Sequence, residues 1–344
     1  MSVMGRIRAA GKLLLGGEGR RGRRGPIPPI TKRDISELKR FFPRDKFFIF
    51  GHARSGTTLL MRLVRLHPEV HCSYQAHFFT RRPLLKALVD TAEVEEWLTR
   101  KSNRWNRGAD LSPVILRAAA EYIMEREAAA LGKRIVGDKS PMSNIHGQAV
   151  LDLHLLFPEA KLIYIVRDGR DVVTSERVRN FVEESRYLSQ ADRRILEDLR
   201  GDVGPYLNSS RSIFTEAMIR RVAAGWATNV TETDDEGKRL FGRHYAVVRY
   251  EDLLANPLAC LSRLWKFLGV SRIPKSMSVK IAGELKANPD EEWQTSRGQE
   301  LAALLPKGQS GNWRRLFGLT DKRLFKAVAV DALIKWGYEA SGEW

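Results

Sequence analysis

The chain has 344 residues, of which 43% are hydrophobic and 29% charged, a composition typical of one large α/β domain or two small ones. Its formal net charge of +17 favours an anionic ligand, such as a nucleotide, a sulfated or phosphorylated compound, nucleic acid or a lipid surface, although a solvated basic surface is the alternative. Two cysteines, Cys72 and Cys260, are too few for a disulfide framework and lie outside metal-ligand spacing, and no apolar run approaches the roughly 18 residues of a membrane span.

The first 30 residues differ from the rest of the chain, because they are basic and are followed by glycine and proline. Their apolar centre, Leu13–Leu15, is shorter than the roughly 7–15 residues of a signal-peptide core, and a reducing cytoplasm fits the cysteine usage. We therefore expect a cytoplasmic protein with a basic, flexible tail over residues 1–30 and a single domain over residues 31–344. A basic helix over residues 1–15 would make a peripheral contact with an anionic membrane; the alternative is a disordered solubilising arm.

A buried strand followed by a glycine-bounded turn is the most informative feature of the chain. Residues 47–50 are all apolar, which is typical of a buried parallel strand, and GHARSGTTLL follows at residues 51–60 and opens a helix. The backbone N–H groups of residues 54–58 would point at an anion, aided by the positive end of that helix. Thr57 stands where a nucleotide triphosphatase has the lysine that reaches the β- and γ-phosphates, so we expect a ligand without those phosphates.

The next part of the chain alternates short strands with a long helical segment. Residues 70–74 are predicted to form a strand, and the segment at about 80–130 has a helical pattern and is interpreted as an insertion that covers one face. A short strand over residues 134–136 precedes GDKSPMSN at residues 137–144. Lys139 would then lie at the same edge of the sheet as the glycine-bounded turn, although a lone lysine is usually only solvated.

A second motif follows the clearest of the later strands. Residues 161–166 (KLIYIV) predict a buried strand, and RDGRDVVTSERVR at residues 167–179 follows directly. Arg167 would emerge at the carboxyl end of the strand, where open α/β sheets bind ligands. A hydroxyl flanked by arginines favours a phosphate site, although an exposed helix start with Asp–Arg pairs is the alternative. Three residues of this helix recur four apart and share one face: Asp171, Ser175 and Arg179.

The remaining elements complete an alternating pattern. We expect helices over residues 144–157 and 258–268, a strand over residues 245–248, and a polar, irregular stretch over residues 183–215 that would serve as a lid or acceptor loop. Strands that alternate with helices predict an α/β, P-loop-like, three-layer fold with a central parallel sheet and helices on both faces.

Four motifs in this order resemble the sulfotransferases that use 3′-phosphoadenosine 5′-phosphosulfate (PAPS), in particular bacterial and tyrosylprotein-type members. The similarity runs from about residue 46 to residue 318. The four motifs are FGHARSGTTLLMRLVRLHPEV at residues 50–70, KLIYIVRDGRDVVTS at residues 161–175, HYAVVRYEDLLANP at residues 244–257 and GNWRRLFG at residues 311–318.

This resemblance implies transfer of a sulfuryl group from PAPS to a hydroxyl or amine acceptor, without a metal. It implies that Arg54 and Lys139 offset the charge that develops on the leaving phosphate, in the manner of preorganised electrostatic catalysis. It implies that the 5′-phosphosulfate is held by five residues of the turn after the first strand: Arg54, Ser55, Gly56, Thr57 and Thr58. It implies that the 3′-phosphate is held by Arg167 and Ser175, with Arg179 as a helper.

The general base is where the chain departs from the family pattern. Related enzymes often place a glutamate shortly after the HPEV segment, and Gln75, which cannot usefully accept a proton, occupies that position here. His77 is two residues further on, and a histidine with its ordinary pKa near 6.5 is a suitable base. The alternative is that His77 is a structural or binding histidine.

Two other functions fit parts of the sequence. A P-loop-type kinase would need Mg²⁺ and ATP, and the missing lysine and the lack of an obvious acidic metal ligand after a strand argue against it. A catalytically inactive homologue that binds anions or membranes would fit Gln75. The acceptor, which residues 80–130 and 183–215 would select, is of unknown class, and no nucleic-acid partner is expected.

Overall fold

Five parallel strands form the centre of the fold, in the order β2-β3-β1-β4-β5. The structure, a computed structural model, describes residues 25–81, 84–102, 104–142, 145–183, 185–270, 273, 276–287 and 309–344. The strands are β1 (Asp45–Gly51), β2 (Val70–Tyr74), β3 (Ile135–Lys139), β4 (Lys161–Val166) and β5 (Tyr245–Arg249).

The described helices connect these strands and cover both faces of the sheet. Among the described residues, no helix combines the length and the apolar composition that crossing a bilayer requires. The helices are α1 (Lys32–Leu38), α2 (Thr57–Val64), α3 (Leu84–Ala87), α4 (Ala92–Thr99), α5 (Ser112–Ala130), α6 (Gly147–Leu156), α7 (Gly169–Glu183), α8 (Gln190–Gly201), α9 (Gly204–Leu207), α10 (Glu216–Phe241), α11 (Tyr250–Ala255), α12 (Pro257–Leu268), α13 (Met277–Lys286), α14 (Trp313–Leu316) and α15 (Leu319–Lys335).

The uniformly apolar sequence of β1 reflects its place in the middle of the sheet. It pairs with β3 on one side and β4 on the other, and its apolar residues are buried. Because successive side chains of a strand point to opposite faces, Phe48 and Phe50 pack into one core, which holds residues of α5, α6, α7, α10 and α15. Phe47 and Ile49 pack into a second core with residues of α2, α12 and α13. The predicted three-layer α/β fold is confirmed.

The topology puts the two sequence motifs on either side of a switch point. After β1 the chain turns towards β3 and β2, whereas after β4 it continues to β5 on the opposite side. Ligands of open α/β sheets bind in the crevice beside the carboxyl ends of the strands at such a point. The register pairs Gly51, the last residue of β1, with Ile165 near the end of β4, so the segments that follow these strands start side by side.

Most predicted elements are confirmed, and one is wrong. The strands over residues 70–74 and 161–166 have the predicted bounds, and the strand predicted over residues 134–136 extends to Lys139. The irregular stretch predicted over residues 183–215 instead contains α8 and α9. The sequence of α8 is strongly polar, but Leu196 and Leu199 are buried. The Asp192 N–H donates to Ser189 Oγ, which caps the first turn. Burial and capping together explain why α8 forms a helix.

The predicted tail lies partly outside the described residues. Up to residue 24 the structure gives no description, but residues 25–30 lie on the domain. Ile27 and Ile30 are buried, and the Ile30 N–H donates to the Leu155 carbonyl at 3.0 Å. Residues 25–30 therefore belong with the domain rather than with the tail. The predicted helical segment at about 80–130 contains α3, α4 and α5.

Candidate active site

Close packing explains the glycines of the turn after β1. Gly56 has φ 86° and precedes α2, and a Cβ there would lie 2.3 Å from the Tyr250 ring. At Gly51 a Cβ would lie 2.7 Å from the Ile165 side chain. Arg54 has φ 69°, a left-handed conformation that is costly for a residue with a side chain. The turn is therefore fixed in one shape by its neighbours.

The start of α2 offers hydrogen-bond donors to an anion. The first N–H groups of a helix have no partner within the helix, and they begin here at Thr57. The Ser55 hydroxyl is fully buried and has no hydrogen-bond partner among the described residues. A buried polar group without a partner is costly, so an unpartnered hydroxyl at a helix start indicates a place where a ligand binds.

Lys139 lies at the same helix start. It is the last residue of β3 and is fully buried, and its Nζ donates to Thr58 Oγ1 at 3.1 Å. The ammonium also lies 3.9 Å from the centre of the Tyr74 ring, which is a cation–π contact. Burial lowers the pKa of Lys139 to about 8. A desolvated cation is thus held against the glycine-bounded turn.

Arg167, the first residue after β4, is held in place by backbone carbonyls. Its Nη1 donates to Arg54 O at 3.1 Å and its Nη2 donates to Gln309 O at 3.0 Å. The guanidinium lies 4.6 Å from the centre of the Tyr250 ring, and its buried Nε has no partner among the described residues. The Arg167 carbonyl accepts from Trp226 Nε1 at 3.0 Å. Arg167 therefore joins the turn after β1 to the C-terminal part of the chain.

The structure brings together only some of the α7 residues that are predicted to bind the 3′-phosphate. Arg54 Nε donates to Ser175 Oγ at 3.0 Å, so the residues predicted for the two ends of the nucleotide meet. Arg179 forms an ion pair with Glu176 at 2.8 Å on the same helix. Its predicted role as a helper at the 3′-phosphate stays a prediction.

Asp171 has a role that the sequence does not reveal. It is almost fully buried, and its carboxylate accepts the Gly311 N–H at 2.6 Å and the Trp313 N–H at 3.1 Å. The motif GNWRRLFG is thereby attached to α7, next to Arg167. Arg170 supports the same contact, because its guanidinium lies 3.8 Å from the centre of the Trp313 ring. The order of the motifs along the chain gives no sign of this pairing.

The segment after β2 places Gln75 and His77 beside the end of β3. Both have positive φ, 55° and 53°, and the Gln75 N–H donates to the Lys139 carbonyl at 2.8 Å. The His77 N–H donates to Ser140 Oγ at 2.9 Å, and the His77 ring hydrogen-bonds Thr80 Oγ1 at 2.8 Å. Backbone strain at such a position is typical of functional loops.

Burial keeps the His77 imidazole neutral. Desolvation, with smaller contributions from the nearby Arg81 and Lys139 cations, lowers the pKa of His77 to about 4. A neutral imidazole can accept a proton at pH 7, but it is a weaker base than an ordinary histidine.

An aspartate that sequence reasoning missed organises this segment. Asp138 Oδ1 accepts the Ala76 N–H at 3.0 Å, and its Oδ2 accepts from Ser140 Oγ at 2.5 Å. Burial raises the pKa of Asp138. Both carboxylate oxygens of Asp138 accept hydrogen bonds from the protein, so Asp138 orders the segment before His77. Its place directly before Lys139 at a strand end is the one sequence signal that could have identified it.

Comparison with known proteins identifies the family. The family model described as "Sulfotransferase family" matches residues 45–274, more than half of the chain. The chain belongs to the sulfotransferase family. The resemblance stated from the four motifs is thereby confirmed, since the chain matches the model across the first three of them.

Two curated relatives illustrate the range of similarity. The chain is 26% identical to protein-tyrosine sulfotransferase A of Caenorhabditis elegans over 227 residues, which are 65% of this chain and 49% of that protein. It is 30% identical to nodulation protein NoeE of Sinorhizobium fredii over 164 residues, which are 42% of this chain and 32% of that protein. The chain thus spans about half or less of the length of these relatives.

Solved structures are similar at lower identity. Mouse sulfotransferase SULT7A1 complexed with PAP is 15% identical, with a TM-score of 0.46, and the match covers 88% of this chain and 90% of that one. The sulfotransferase domain from the curacin biosynthetic pathway is 19% identical, with a TM-score of 0.47, and the match covers 86% of this chain and 98% of that one.

Proposed function

We propose that this sulfotransferase moves a sulfuryl group from PAPS to a hydroxyl or amine acceptor. The observation that carries the proposal is the contact of Lys139 Nζ with Thr58 Oγ1 at the start of α2. Lys139 of β3 would thus supply the charge that the turn after β1 lacks. Arg54 and Ser175 extend the same group of donors towards α7.

The residues present suit a nucleotide with two separate anionic groups. Ser55, Gly56, Thr57 and Thr58 would hold the 5′-phosphosulfate, and the unpartnered Ser55 hydroxyl supports that position. Arg167, Ser175 and Arg179 would hold the 3′-phosphate, and the unpartnered, buried Nε of Arg167 supports it. When bound, PAPS supplies an electrophilic sulfuryl group whose leaving group is the 5′-phosphate.

The charges of Lys139 and Arg54 would offset the negative charge on that leaving group. Their positions are set before a ligand arrives, because Lys139 is buried against Thr58 and Arg54 is bound to Ser175. Preorganised donors of this kind often make the largest single contribution to catalysis.

We propose His77 as the group that takes the proton of the acceptor. It is neutral at pH 7, because its pKa is lowered to about 4, and its loop is ordered by Asp138 and Ser140. So weak a base is best matched to an acceptor whose own proton is acidic. Gln75 at the position of the family's glutamate instead favours the second candidate, a homologue that binds PAPS without transferring the sulfuryl group.

We also propose a cytoplasmic location, with peripheral contact of the basic tail with an anionic membrane. Cys72 and Cys260 are both unpaired, which fits a reducing compartment. The tail before residue 25 lies outside the described residues.

Calorimetric titration tests the donor. We expect PAPS and its desulfated product PAP to bind more tightly than ATP with Mg²⁺. Arg167→Ala and Ser175→Ala should each weaken PAP binding, by about 1.5–3 kcal/mol for a charge-assisted hydrogen bond. Arg220→Ala on α10, whose described partner is Glu216, is the control for removal of a cation. Tighter binding of ATP with Mg²⁺ would favour the kinase alternative, and variants that bind PAP like the wild type would refute the 3′-phosphate assignment.

A further inference from the structure

A pair of stacked tryptophans faces solvent at the end of the helical segment. Trp97, in the last turn of α4, is 55% exposed, and Trp105, in the connection to α5, is 49% exposed. Their ring centres are 5.0 Å apart, with 28° between the ring planes. Side chains this large are mostly buried in a folded chain. Two exposed together form a surface that a partner would cover. We call residues 97–102 and 104–108 the aromatic tip.

The tip is held outward by the fold. Leu98 is fully buried beneath it, and Asn106 is nearly so. Asn106 Nδ2 donates to the Leu98 carbonyl at 3.0 Å, and Asn106 Oδ1 accepts the Gly108 N–H at 3.0 Å. Because these contacts anchor the residues that directly follow the two tryptophans, the rings are presented to solvent by a defined local structure.

The tip is also basic. Residues 97–109 contain four cations and no acidic residue. All four are exposed. One of them, Arg100, is paired with Glu96 on α4, whereas the other three make no ion pair with any described residue. The four cations are Arg100, Lys101, Arg104 and Arg107.

The most basic part of the tail joins the domain next to the tip. The Gly25 N–H donates to Glu95 Oε1 of α4 at 3.3 Å, two residues before Trp97. Arg23 and Arg24 directly precede Gly25. The tail therefore joins the described part of the chain beside α4.

We propose that the aromatic tip docks on an anionic phospholipid bilayer. Tryptophan rings prefer the headgroup level of a membrane, and each Lys or Arg near an anionic leaflet strengthens binding. Single-stranded nucleic acid also combines cations with aromatic rings, but it stacks its bases on open ring faces. Here Trp97 and Trp105 stack on each other at 5.0 Å, so no base fits between the two rings. This docking surface is separate from the chemistry at the strand ends.

Vesicle flotation with the full chain tests the proposal. We expect binding to phosphatidylcholine vesicles that contain about a third phosphatidylserine, and little binding to phosphatidylcholine alone. Trp97→Ala with Trp105→Ala should lower the partition coefficient at least fivefold. Arg104→Gln with Arg107→Gln should lower it by about fivefold per cation removed. The matched control is Arg186→Gln with Tyr187→Ala, which removes another exposed cation–aromatic pair.

Two further measurements separate the tip from the tail and from misfolding. Removal of residues 1–24 should weaken vesicle binding but leave its dependence on the two tryptophans. Circular dichroism and PAP affinity should be unchanged in every tip variant. Equal vesicle binding by the tryptophan variant and the wild type would overturn the proposal. So would tryptophan-dependent binding of a single-stranded oligonucleotide in the absence of vesicle binding.

Discussion

At the scale of single residues, Lys139 determines the character of the site. It lies fully buried at the end of β3, with its ammonium against Thr58 at the start of α2. Burial alone would disfavour the cation, and this is why its pKa falls to about 8. An anion bound against Thr58 would favour the charged form again.

We therefore expect PAP binding to take up a proton above pH 8. In the free protein, Lys139 loses its proton as pH rises through about 8. A bound anion raises the pKa of Lys139, so binding near pH 9 returns a proton to it. Near pH 6.5 Lys139 is already protonated, so proton uptake is absent there. Calorimetry in buffers of different ionisation enthalpy measures it. Lys139→Met should abolish the proton uptake. Lys161→Met, at the amino end of β4, should not. The same uptake by the Lys139 variant would contradict this account.

The second prediction for a single residue concerns His77, the proposed general base. His77→Ala should lower kcat by about 10²–10⁴-fold, the usual effect of losing a general base, while PAP affinity holds. With a pKa of about 4, His77 stays neutral down to low pH, so kcat/KM should fall only as pH drops through about 4. His154→Ala on α6 is the control. A normal kcat in the His77 variant, or a limb near 6.5 in the wild type, would move the role to another group.

At the scale of elements, the site depends on a contact between α7 and the C-terminal segment. Asp171 binds two backbone N–H groups of that segment, and Gln309, just before it, binds Arg167. Asp171→Ala leaves both N–H groups without their charged acceptor. We expect it to lower the free energy of unfolding by about 2–3 kcal/mol in urea titrations and to weaken PAP binding through Arg167.

Asp235→Ala, which removes an exposed partner of Lys335, should change neither quantity. If the Asp171 variant matches this control in both urea unfolding and PAP affinity, the C-terminal segment does not support the site as described.

Sequence predicted the strands better than the helices, for a physical reason. A strand buried on both faces must be continuously apolar, so β1 and β4 stand out. The helix α8 rests on two buried leucines in a polar sequence, and α10 and α15 carry no motif. The role of Asp171 depends on a partner about 140 positions away in the sequence. The lowered pKa of His77 results mainly from burial, and the pattern of residues along the chain does not predict how deeply one histidine is buried.

At the scale of the whole molecule, four stretches of the chain meet at the carboxyl ends of the strands, and three of them bring a cation. The turn after β1, Lys139, Arg167 and the segment around Gln309 meet there. The switch point between β1 and β4 explains why they meet. The net charge of +17 favours anions at the molecule as a whole, and we propose that these few side chains select among them.

Transfer of labelled sulfuryl from PAPS to a panel of hydroxyl and amine acceptors tests the central claim most directly. The account predicts a labelled product and PAP in equal amounts from the wild type, and neither above background from Lys139→Met, with Lys161→Met active. The contradicting result is tight binding of PAPS by the wild type with no labelled product from any acceptor, which would make the chain a binding protein rather than an enzyme.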